Sequence, residues 1–102
     1  MSRPFSYNDE NFTVIGNMLF IHVKLNRAFE SNENIIEIPP EIYYRVINYS
    51  IMGTLEGLDK NYVNSFTWKA FISEENGKYY IKTAVELNGN FVFSAYMYLK
   101  DI

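Results

Sequence analysis

Between Phe91 and Leu99 every second residue is apolar: Phe91, Phe93, Ala95, Met97 and Leu99. A helix turns about 100° per residue and would scatter these side chains around its axis. Only an extended chain, whose side chains alternate between two faces, gathers them on one side. The same period returns in Leu19, Ile21, Val23 and Leu25, with Phe20, His22, Lys24 and Asn26 between them. It returns again in Ile47, Tyr49, Ile51, Gly53 and Leu55, in Phe66, Trp68, Ala70 and Ile72, and in Tyr79, Ile81, Thr83, Val85 and Leu87. No stretch carries the apolar spacing of a long amphipathic helix.

The punctuation agrees with strands. Gly16-Asn17 separates Phe12–Ile15 from the Met18 run, and such a pair tolerates the positive φ of a two-residue hairpin turn. Residues 11–26 therefore read as a hairpin. Residues 29–34 are polar and turn-like. Residues 35–38 form a short strand stopped by Pro39-Pro40, since proline donates nothing to a ladder. Residues 41–45 read as a turn or a single helical turn, 46–55 as a strand, and 57–65 as the longest polar connection. Asn76-Gly77 and Asn88-Gly89-Asn90 then divide residues 66–100 into a three-stranded meander. Short strands with turn signals every ~8–12 residues predict an all-β, antiparallel β-sandwich or jelly-roll-like fold. The 102 residues are one domain in size, with residues 1–10 expected as an extended arm.

Composition narrows the chemistry. Nine basic and twelve acidic residues give a net charge of −3, with no basic cluster of the kind that nucleic-acid binding requires. There is no cysteine and a single histidine, so thiolate sites, disulfides and ordinary transition-metal sites have no ligands. Apolar runs such as Met18 to Ile21 are far too short to span a membrane, and the first residues lack the apolar core of a signal peptide. Neither cofactor nor membrane insertion is expected.

No catalytic motif stands out. The carboxylates are scattered, no nucleophile elbow or phosphate loop is present, and His22 sits in mid-strand as a surface or interface residue. Carboxylate pairs that hydrolyse glycosides must face each other across a cleft, which a small filled sandwich hardly offers. Trp68 falls on a core-facing position, although an exposed Trp could stack on a sugar. The chain is thus expected to bind rather than to catalyse. Successive antiparallel loops alternate between two ends, which places 27–34, 57–65 and 88–90 together. Binding residues concentrate on loops held by a rigid scaffold. The candidates are Phe29, Asp59, Lys60, Asn61, Tyr62, Asn88 and Asn90, a mixture suited to polar ligands such as saccharides. A second signal is surplus: Phe20, Val92, Tyr96 and Tyr98 oppose the apolar faces of their strands, where polar residues belong on a solvated sheet. That surplus suggests self-association.

Phe12–Leu25, followed by the run 36–45 with its Pro39-Pro40 step, resembles the opening of C-terminal domains in phage tail and baseplate proteins. The closing 77–82, 88–90 and 93–98 runs resemble their final strands, so the similarity spans about residues 11–100. The resemblance implies a jelly-roll-like head, usually a homotrimer, on a tail tip or baseplate fibre of the virion, made in the host cytoplasm. It implies attachment to host cell-wall polysaccharide or teichoic acid, or a structural role, and assigns no site residue. The competing expectation is a small monomeric β-sandwich that binds or inhibits another protein.

Overall fold

The computed structural model describes residues 6–47, 50–57, 65–87 and 90–100, without the side chains of residues 65 and 66. Its elements are β1 (Tyr7–Asn8), β2 (Phe12–Ile15), β3 (Met18–Leu25), β4 (Asn34–Glu37), α1 (Pro40–Tyr43), β5 (Ser50–Gly57), β6 (Ser65–Glu75), β7 (Lys78–Thr83) and β8 (Phe91–Tyr98). The strands form one antiparallel sheet in the order β1-β2-β3-β8-β5-β6-β7-β4. The sheet curls over its own inward face, as expected for an all-β domain of sandwich or jelly-roll type.

The inward face is the alternating set. Leu19, Ile21, Val23 and Leu25 of β3, Phe93, Ala95 and Met97 of β8, Ile51 and Leu55 of β5, and Trp68 and Ala70 of β6 are all buried. Burying each large apolar side chain stabilises the fold by roughly 1.5–3 kcal/mol. Trp68 packs edge-on to Phe93, with ring centroids 4.8 Å apart and planes at 83°. Gly53, in register with both Trp68 and Ala95, makes room for that pair. A Cβ there would lie 2.5 Å from the Ser94 carbonyl oxygen and 2.7 Å from the Phe93 ring. The indole Nε1–H of Trp68 is buried and has no acceptor among the described residues.

Local chemistry fixes the turns. Asn76 and Gly77 adopt φ of 53° and 80°, the pair of left-handed residues that a type I′ hairpin between β6 and β7 requires. Ahead of β2, the Asp9 carboxylate accepts the backbone N–H groups of Asn11 at 2.7 Å and Phe12 at 2.8 Å. Its other oxygen accepts the Tyr7 hydroxyl at 3.0 Å. In α1, Tyr43 stacks on Tyr79 of β7 with centroids 4.1 Å apart. The Tyr43 phenol is pushed up to about 12 by its hydrogen bond to Tyr44, by desolvation and by neighbouring negative charge.

Three expectations need correction. Residues 66–100 are not a meander. β8 does not pair with β7 but inserts between β3 and β5, with Leu25↔Phe91 on one side and Gly57↔Phe91 on the other. Periodicity identifies a strand's faces and is silent about its neighbours. The strand expected over 46–55 starts at Ser50, because the turn of α1 runs on through Val46, whose N–H donates to the Tyr43 carbonyl. Val46 makes only an isolated bridge to Leu99, Ile47 is exposed, and Tyr49 lies outside the described residues. The strand expected over 78–87 ends at Thr83. Its hydroxyl donates to the Val85 carbonyl and accepts the Val85 N–H, a local bond that competes with the ladder and leaves Val85 exposed.

Candidate functional site

The strand directions do bring the ends of β3, β5 and β8 that border 27–34, 57–65 and 88–90 to one end of the sheet. Of the loop residues expected to bind, Asp59, Lys60, Asn61, Tyr62 and Asn88 lie outside the described residues. Asn90 is exposed beside the start of β8, with φ of 60°. Phe29 departs from expectation, because it is buried rather than offered at a loop tip. It bridges Leu87 across the sheet, and the Arg27 guanidinium lies 3.9 Å over its ring. Arg27 also pairs with Glu33 at 2.6 Å. That hydrogen bond, joined by the Glu30 N–H, holds the Glu33 carboxyl below its usual range. This loop is braced from within.

The described surface places a different set together. Four neighbouring strands, β3, β8, β5 and β6, turn an uncovered face outward. Register aligns His22 with Ser94, Ser94 with Thr54, and Thr54 with Thr67, so one polar side chain from each strand forms a row across the sheet. All four are exposed, and neither the three hydroxyls nor the imidazole is hydrogen-bonded within the described residues. The adjacent row begins with Phe20, in register with Tyr96, and continues with Met52, in register with Lys69. The two rows wall a groove of about 570 Å³ lined by Phe20, His22, Met52, Thr54, Ser94 and Tyr96, among others. On the polar side it borders a second hollow lined by Glu10, Asn11, His22, Lys24 and Val92. On the apolar side, sharing Met52 and Tyr96, it borders a hollow of about 450 Å³ lined by Ile47, Ser50 and Tyr98.

The face is therefore graded. Lys24 and Glu56 mark its charged end, the hydroxyl row follows, then the aromatic row, then Tyr98 and Ile47. Hydroxyls both donate and accept, and aromatic faces offer apolar area with defined geometry. An uncharged groove of that make-up can hold a neutral, polyhydroxylated molecule, with its apolar side on Phe20 or Tyr96 and its hydroxyls on the polar row. Among the described residues no group of three or more His, Asp or Glu side chains could hold a metal ion. No described helix is long and apolar enough to cross a membrane.

The surplus of Phe20, Tyr96 and Tyr98 is legible in the sequence; the polar row is not, because its members come from strands far apart in the chain. Comparison of the chain with family models, with curated proteins and with solved structures returns no match.

Proposed function

We propose that this chain is a non-catalytic surface-recognition module whose outward groove receives a neutral saccharide. The observation that carries the reading is the His22–Ser94–Thr54–Thr67 row, unbonded and exposed beside Phe20 and Tyr96. On this reading the ligand lies on the sheet face rather than on the loops. What speaks for a phage tail or baseplate head is the resemblance of the hairpin, the proline step and the closing strands, together with a β-rich domain that has one large uncovered face. In that setting the ligand is a host cell-wall polysaccharide.

The test is a titration of the protein with a panel of neutral and anionic cell-wall polysaccharides, followed by calorimetry and by amide shifts. Saturable binding with shifts centred on His22, Thr54 and Ser94 is expected, and Thr54→Val with Ser94→Ala should weaken it about tenfold or more. Binding unchanged in that variant, or no binding across the panel, would overturn the proposal. Release of reducing ends from any polysaccharide would overturn its non-catalytic part.

A specific observation favours a protein partner as well: at the apolar end of the same face Ile47 and Tyr98 are exposed beyond the groove lined by the polar row.

A further inference from the structure

Beyond the hydroxyl row, the outward face ends in an apolar patch. Phe20 is 45 %, Ile47 50 %, Met52 62 %, Tyr96 65 % and Tyr98 66 % exposed. Ile15 continues it, since Ile15 is in register with Met18 and Met18 with Tyr98. No charged side chain lines the hollow between Ile47, Met52 and Tyr98. Lys69 borders the patch and leans toward Phe71, 5.3 Å from its ring centroid.

Size decides what such a patch can do. A large side chain carries roughly 150–250 Å² of surface, so five of them at half to two-thirds exposure offer on the order of 500 Å². That lies at the upper end of what a monomer leaves uncovered. It also approaches about 65 % of the roughly 800 Å² that each partner buries in a standard-size interface, the size of a reversible rather than an obligate pairing. Shape and charge then select the occupant. A twisted sheet face without a covering helix packs best on another sheet face, with side chains interdigitating. This chain carries such a face itself. The patch itself carries no charge, so apposing it to its own copy places no like charges within it, Lys69 standing at its border, although the whole chain has a net charge of −3.

We infer that the Ile47–Met52–Tyr96–Tyr98 patch is a contact surface for a second copy of this chain. Two-fold pairing buries the same patch on both copies. The contact overlaps the saccharide groove at Met52 and Tyr96, so pairing and ligand compete for those side chains, but it rests on apolar area and not on the hydroxyl row, and its test reads mass rather than ligand binding.

The experiment is light scattering across a concentration series on the intact chain, alongside Tyr98→Lys and Ile47→Lys. The parent should show a mass of two or more copies of the 12.0 kDa chain, with dissociation on dilution. Each lysine should weaken association by roughly thirtyfold or more, the fold-change of losing an interface hot spot. Circular dichroism should stay as in the parent and polysaccharide binding should be kept or strengthened, because neither residue belongs to the polar row or the core and pairing competes for Met52 and Tyr96. A parent that is monomeric at every concentration would overturn the inference. So would an oligomer that survives both substitutions in folded protein. Should one variant misfold, the other carries the test. Loss of saccharide binding in Thr54→Val/Ser94→Ala with unchanged mass would separate the two sites.

Discussion

The strands β3, β8 and β5 build two faces from one backbone, and the faces obey different rules. Inward, the side chains are aliphatic or aromatic, and the gap at Gly53 is taken by the Phe93 ring. Outward, the side chains change along the strand from Lys24 through His22 to Phe20, and from Ser94 through Tyr96 to Tyr98. The inner face is under one demand, close packing. The outer face is free of it, so its composition carries information about what the sheet meets. A solvated outer face would be evenly polar, and a second core layer evenly apolar; this one is neither.

The sharpest way to break the comparison is to truncate the same residue type of change on both faces. Phe93→Ala should destabilise by about 3–5 kcal/mol. Tyr96→Ala, three residues further along the strand and on its other face, should stay within about 0.5 kcal/mol in the monomer. Urea unfolding at low protein concentration reads both, and a Tyr96 loss comparable to that of Phe93 would mean that the outer face is also core. Next comes Gly53→Ala, which pushes a methyl against the Ser94 carbonyl and the Phe93 ring. It should cost about 1–3 kcal/mol in the same assay, whereas Thr54→Ala, its outward neighbour, should be nearly neutral. Smaller again, Asp9→Ala removes the acceptor of two backbone N–H groups before β2 and should cost about 1–2 kcal/mol.

The smallest effects are electrostatic. The Tyr43 phenol, raised to about 12 from 10.0, favours the protonated side chain in the folded protein. Its contribution is complete below pH 10.0 and fades as the pH climbs through about 12. Phenolate absorbance should show one late-titrating tyrosine that Tyr44→Phe returns toward the ordinary range. At the other extreme, Glu33 is held below its usual carboxyl range by Arg27 and the Glu30 N–H. Its contribution is present above the ordinary glutamate range and lost as acid drives the pH through the lowered value. Arg27→Gln should abolish that lowering in a carboxyl NMR titration.

Much of this architecture was legible in the residues themselves. Alternation placed the inward side chains of β3, β6 and β8, and the left-handed turn residues located the hairpins at Gly16 and Gly77. Thr83 illustrates what alternation misses: a hydroxyl at a strand position can bond its own backbone and end the strand, while the pattern of apolar residues continues to Leu87. Phe29 illustrates the converse, a residue in a polar run that becomes core because Leu87 lies opposite. The polar row of the groove was beyond reach for a topological reason. His22, Ser94, Thr54 and Thr67 meet only because β8 enters between β3 and β5, and no local signal specifies that neighbour.

That insertion also governs when the molecule can form. β8, the latest of the described strands, holds the middle of the sheet and joins the early hairpin to the β5–β6–β7 unit. Until residues 91–98 are available, the two halves have no shared ladder and leave the flanks of β3 and β5 unpaired. A nascent chain at this stage holds two incomplete sheets with open edges, the species most prone to pairing with other chains. Closure then waits on contacts between residues widely separated in sequence, which places this domain among slow folders for its size.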